Sequence, residues 1–151
     1  MKPVMSEAEI STFLAREFPQ LAAEYHLEGL TDTGLIMRLR VSDKHLRPGG
    51  TVSGPTIFGL ADFAFYFALL SRIGPVALAV TTSAAVDFMR RPRPDADLLA
   101  NVRLLKVGRV LAVGDVMVHS EGQGDAVARI SMTYSIPPNA EDSWGILIPF
   151  L

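Results

Sequence analysis

The segment SGPTIFGLADFAFYFALL, Ser53 to Leu70, decides the fold. Pro55 suits a first helical position, where a missing N–H costs nothing, and Gly74 followed by Pro75 supplies a stop. The pattern predicts one helix over roughly residues 55–72. Apolar on nearly every face, such a helix has to be surrounded by protein. It also carries a single carboxylate, Asp62. The residues three and four positions away, Phe58, Gly59, Phe65 and Tyr66, offer it no cation.

Upstream, Ser6 and Glu9 match a capping box, and Ile10, Phe13, Leu14 and Phe18 recur at helical spacing until Pro19. This predicts an amphipathic N-terminal helix within residues 1–20. YHLEGL and LIMRLRV alternate as strands and are joined by TDTG, which reads as a hairpin. The polar loop SDKHLRPGG then leads into the long helix. Downstream lie four β-rich runs, ALAVTTSAAVDFM, DLLANVRLLKV, RVLAVGDVMVHS and AVARISMTYSI. Their short connectors predict an antiparallel meander. A tail over 137–151 ends in the apolar GILIPFL, which has to dock on the body or meet a partner.

The expected architecture is α+β: a curved antiparallel sheet wrapped around one long helix, in a single domain spanning 1–151. An exposed side of the helix and an open sheet edge both invite a second copy, so a homodimer is expected. With 49% hydrophobic and 20% charged residues the chain can bury a sizeable core. A net charge of −2 gives no broad basic field for nucleic acid or anionic lipid. The absence of cysteine excludes disulfides and thiol chemistry. His26, His45 and His119 are too scattered to suggest a metal site. The N-terminus lacks the apolar stretch of a signal peptide, and the apolar run Ile57–Leu70, interrupted by Asp62, is short for a membrane span. A cytoplasmic protein is the expectation.

An unpaired carboxylate in apolar surroundings is costly to ionise and is commonly retained for chemistry. Gly49, Gly50 and Gly54 let backbone approach a ligand, and the free N–H groups at the helix start stabilise an oxyanion. Gly54 and Asp62, however, are separated by roughly 12 Å of helix at ~1.5 Å per residue. One reacting carbonyl cannot touch both. Two helices running antiparallel across a twofold axis would solve this, with Gly54 from one chain and Asp62 from its neighbour.

The runs RPGGTVSGPTIFGLADFAFYFAL, VDFMRRP and LLKVGRVLAVGDV resemble the hotdog-fold acyl-CoA thioesterases of the phenylacetate-degradation type, over roughly residues 40–136. The resemblance implies that Asp62 is general base or nucleophile and that the Gly54 N–H polarises the thioester carbonyl. It places Thr81, with Thr82 beside it, where a hydroxyl holds the attacking water in some members. Ser53, Gly54 and Pro55 stand where many members have His-Gly-Gly, and Arg47 stands where some have a carbonyl-binding Asn. Ser53 is left either to cap the helix or to donate to the carbonyl. The phosphates of CoA require cations, which Arg90, Arg91 and Arg93 in RRPRP after a strand, and Lys106 and Arg109 bracketing the Gly108 turn, could provide. Charges at strand ends are also ordinary solvent contacts; it is the cluster that points to CoA. Phe58, Phe65 and Met89 are expected to wall an acyl pocket, although aromatic residues at helical spacing ordinarily pack into a core. The implied activity is hydrolysis of acyl-CoA, by a dimer or dimer of dimers, with no cofactor beyond the CoA of the substrate. Two alternatives stand beside it: a non-catalytic acyl-CoA binder or assembly protein, and, less favoured, a hydratase, for which neither His45 nor His119 is suitably placed.

Overall fold

A computed structural model describes residues 1–138; the tail expected over 137–151 lies, from residue 139 onward, outside the described residues. The first helix, α1 (Glu7–Glu17), starts at Ser6, whose side chain accepts from the Glu9 N–H while the Glu9 carboxylate accepts from the Ser6 N–H. The hairpin follows as β1 (Tyr25–Leu30) and β2 (Gly34–Leu39). The polar loop contains a 3-10 turn, Asp43–His45, and a two-residue ladder of β3 (Leu46–Arg47) and β4 (Thr51–Val52). Gly49 and Gly50 turn that ladder at φ of 97° and 75°, which side chains rarely tolerate. The long helix α2 runs Gly54–Ile73, capped by Ser53 and stopped at Gly74. Strands β5 (Val80–Phe88), β6 (Leu98–Val107), β7 (Leu111–Ser120) and β8 (Ala128–Ser135) complete the chain.

The six long strands form one antiparallel sheet in the order β1-β2-β6-β7-β8-β5. The expected four-strand meander is therefore only partly correct. β6, β7 and β8 follow one another, but β5 does not pair with β6. Residues 89–97 carry the chain back across the sheet, so that β6 pairs with β2 and β5 is left on the edge beside β8.

The sheet wraps α2 as the helix's apolar character requires. Leu60, Ala61, Ala64, Phe65, Ala68, Leu69 and Leu70 are fully buried against Leu35, Met37, Val102, Val116 and Ile130. Burying each large side chain contributes about 1.5–3 kcal/mol. At Gly114 a Cβ would fall 2.8 Å from the Phe65 ring, so glycine lets β7 close onto the helix. α1 lies against one end, where Phe18 meets Phe63, Tyr66 and Phe67 edge to face. Buried Arg72 donates to the Thr31 carbonyl at 2.7 Å and fastens the β1–β2 turn to the end of α2. With 20 residues, α2 is longer than the uninterrupted apolar run suggests. It is long and apolar enough to cross a bilayer, yet 67% of its most apolar window is buried inside the protein.

β5 stands apart. Most of its residues are exposed, including Val80 and Phe88, and one side of it has no ladder partner among the described residues. An edge this long and open is what β-proteins ordinarily cover.

Candidate active site

The first group of candidate residues gathers at the start of α2. Because Pro55 occupies the first turn and Ser53 the cap, the N–H of Thr56 is taken by the Ser53 hydroxyl at 3.3 Å and that of Ile57 by the Ser53 carbonyl. The Gly54 N–H has no acceptor among the described residues and carries the positive end of the helix dipole. It borders a cavity of about 690 Å³, also lined by Arg47, Thr51, Phe88, Met89, Arg90 and Arg91. The Phe88 ring lies over the tip, 3.3 Å from where a Cβ on Gly54 would sit. The Thr51 hydroxyl is sealed in the cavity wall without a partner among the described residues.

The loop that shapes this cavity is tied down by His45. Its Nδ1 accepts from the Ser42 N–H at 2.9 Å, so Nε2 is the nitrogen that donates to Glu24, also at 2.9 Å. The His45 carbonyl accepts from the N–H of Ser53 at 3.0 Å. Lys44 pairs with the same Glu24 carboxylate, and this cation, helped to a lesser extent by His45, holds Glu24 below its ordinary range against the opposing effect of burial.

The second group surrounds Asp62, two turns further along α2. Asp62 is half-buried and, among the described residues, has no cation partner. Its Oδ1 is nonetheless not bare. It accepts from the hydroxyls of Thr81 on β5 and Tyr134 on β8, the latter at 2.7 Å. The expectation of an unpaired acid is corrected to an acid held by two neutral donors. No donor reaches Oδ2 among the described residues. Thr81 and Tyr134 are direct cross-strand partners, and the ladder is irregular immediately after them, with Ser83 rather than Thr82 opposite Thr133. The bulge at Thr82 is the local feature that turns Thr81 toward the helix. Burial, reinforced by the Asp62 carboxylate, pushes the Tyr134 phenol well above its ordinary value.

Several of the residues singled out in the sequence lie together. Asp62 and Thr81 come together, and Gly54, Arg47, Met89, Arg90 and Arg91 share the cavity. Ser53 is committed to the helix cap. Others lie elsewhere. Phe65 is fully buried and stacks on Tyr134 at 4.9 Å, so it is core and not pocket wall. Phe58 is half-buried against the core and does not line the cavity, where Phe88 stands instead. Thr82 is exposed and donates to the Thr133 carbonyl. Arg93 is engaged by Asp95, apart from Arg90 and Arg91. Lys106 borders a separate, smaller cavity, and Gly108 and Arg109 belong to the β6–β7 turn.

That turn lies at the other end of the sheet from the first cavity. Phe88 is level with Ala128 and Val118, whereas Val80 is level with Ser135 and Leu111. The length of β5, roughly 25 Å at ~3.3 Å per residue, separates the two ends. Within one chain the donor tip and Arg90–Arg91 thus stand at one end, and Lys106–Arg109 at the other.

Tyr134 and Phe88 escape a reading of the sequence because each looks like strand filling. The signal that could have found Tyr134 is its register against Thr81, which depends on knowing that β5 pairs with β8.

Residues 49–127 match the thioesterase superfamily. A crystal structure of a candidate thioesterase from Silicibacter sp. TM1040 is 51% identical and superposes with a TM-score of 0.85, covering 91% of this chain and 96% of that one. A phenylacetic acid degradation protein from Thermus thermophilus is 28% identical with a TM-score of 0.67, covering 79% of this chain and 99% of its own. A candidate esterase of Pseudomonas aeruginosa is 29% identical over 103 residues, 68% of this chain and 75% of that protein.

Proposed function

The chain belongs to the thioesterase superfamily and has its hotdog fold, and from that premise we propose that it hydrolyses acyl-CoA thioesters at sites shared between two protomers. The observation that carries this reading is the division of the machinery. Each chain bears a Gly54 N–H at a cavity and, two helical turns away, a carboxylate whose Oδ2, like that N–H, has no partner among the described residues. Two β5 edges pairing antiparallel across a twofold axis bring the Phe88 end of one protomer against the Val80 end of the other. The α2 tip of one then faces Asp62 of the other, and Arg90 and Arg91 join the Lys106 and Arg109 of the second chain around the CoA phosphates.

In the reaction, the Gly54 N–H stabilises the growing negative charge on the carbonyl oxygen. Asp62 takes a proton from water as the water oxygen bonds to the carbonyl carbon. The tetrahedral intermediate collapses, the carbon–sulfur bond breaks, and the proton passes from Asp62 to the departing CoA thiolate. Direct attack by the carboxylate, followed by hydrolysis of the anhydride, uses the same placement.

Pro55 removes one N–H from the helix tip, which favours a second reading: an acyl-CoA binder that has lost turnover. Thiol release from a panel of short, medium and aromatic acyl-CoAs, with Asp62→Ala alongside, separates the two. Hydrolysis requires release well above the Asp62→Ala background. Binding with no release above that background leaves only the binder.

A further inference from the structure

We propose that Tyr134 is a positioning residue for hydrolysis: together with Thr81 it pins Oδ1 of Asp62, so that Oδ2 alone is presented to water or substrate. The inference rests on the reading that Asp62 is the reacting group. The two oxygens of a free carboxylate are equivalent and exchange by rotation. Here two hydroxyls from different strands converge on the same oxygen, one from β5 and one from β8. Hydrogen bonds to an ionised acceptor are the stronger kind, so the pair breaks that equivalence.

The donors are themselves rigid. Tyr134 is 3% exposed, and its ring lies against Phe65 at an interplanar angle of 26°. Its hydroxyl is also 3.0 Å from the Asp62 backbone carbonyl, which fixes it to the helix turn it serves. Thr81 is aimed by the bulge that follows it. Burial and the adjacent carboxylate raise the phenol above its ordinary value, so at neutral pH it is protonated and a donor. The phenol has one proton, and the shorter contact, 2.7 Å to Oδ1 against 3.0 Å to the backbone carbonyl, directs it chiefly to the carboxylate.

The test is Tyr134→Phe, which keeps the ring and removes the donor, with Thr81→Val and Thr81→Ser alongside. Tyr134→Phe is expected to lower kcat about tenfold while KM changes by less than about twofold, because a misplaced reacting group costs rate and not binding. Thr81→Val is expected to do the same and Thr81→Ser to restore it. An unchanged kcat in Tyr134→Phe, with wild type active and Asp62→Ala inactive, overturns the inference and leaves the proposed function standing. Should wild type release no thiol, the proposed function fails, and crystal structures of wild type and Tyr134→Phe still decide the placement. A turned or divided Asp62 carboxylate in the variant supports the pin; an identical one overturns it.

Discussion

Asp62 meets no cation among the described residues, which distinguishes it from an acid kept to balance charge. Its two donors are hydroxyls, able to hold a carboxylate in place without neutralising it. Asp62→Asn preserves size and an acceptor oxygen but cannot take a proton. It is expected to lower kcat for acyl-CoA hydrolysis by about 10²–10⁴-fold, the usual contribution of a general base, with the far-ultraviolet circular dichroism unchanged. Gly54 is constrained differently. A Cβ there would meet the far end of an exposed Phe88 ring, which is free to swing. Gly54→Ala should therefore fold, its urea midpoint close to wild type, while the displaced ring intrudes on the cavity and raises KM. A substantial loss of folding would contradict this reading of the Phe88 contact.

Element by element, local chemistry explains what the sequence made legible. α1 and α2 could be bounded in advance because their signals are local: a capping box at Ser6 and Glu9, a proline at the first turn, a glycine at the stop. The β1–β2 hairpin was equally readable. The place of β5 was not, since nothing within residues 77–89 indicates that its partner begins some forty positions later. Tyr134 is hidden with it, and Phe65 is indistinguishable in sequence from a pocket ring because a ring facing the core and a ring facing a pocket share one helical spacing. Two predictions belong at this scale. Ser53→Ala removes the cap of α2 and should destabilise the protein by about 1 kcal/mol in urea denaturation. The tie between Glu24 and the cavity loop should depend on pH. The folded-state pKa of Glu24 is depressed below 4.5, chiefly by Lys44, so its stabilisation is present above that value and disappears as pH falls through the depressed one. The difference in urea midpoint between wild type and Glu24→Gln is expected to be full at neutral pH and to vanish in strong acid.

Taken whole, the chain resembles half of a device. Its long apolar helix is covered by the sheet on most sides, but one edge of β5 has no ladder partner among the described residues, and the donor tip and the carboxylate sit too far apart to meet. Sedimentation equilibrium should accordingly give a mass of at least two 16.4 kDa chains. The most direct measurement is complementation between Asp62→Asn and Gly54→Val, whose branched side chain, larger than alanine's, is expected to block the cavity beside Phe88 and abolish activity, co-expressed and assayed for thiol release. If Gly54 and Asp62 act across protomers, half the dimers are mixed and each has one intact site, restoring about a quarter of wild-type activity. If the two residues act within one chain, every chain in the mixture is defective and no activity returns.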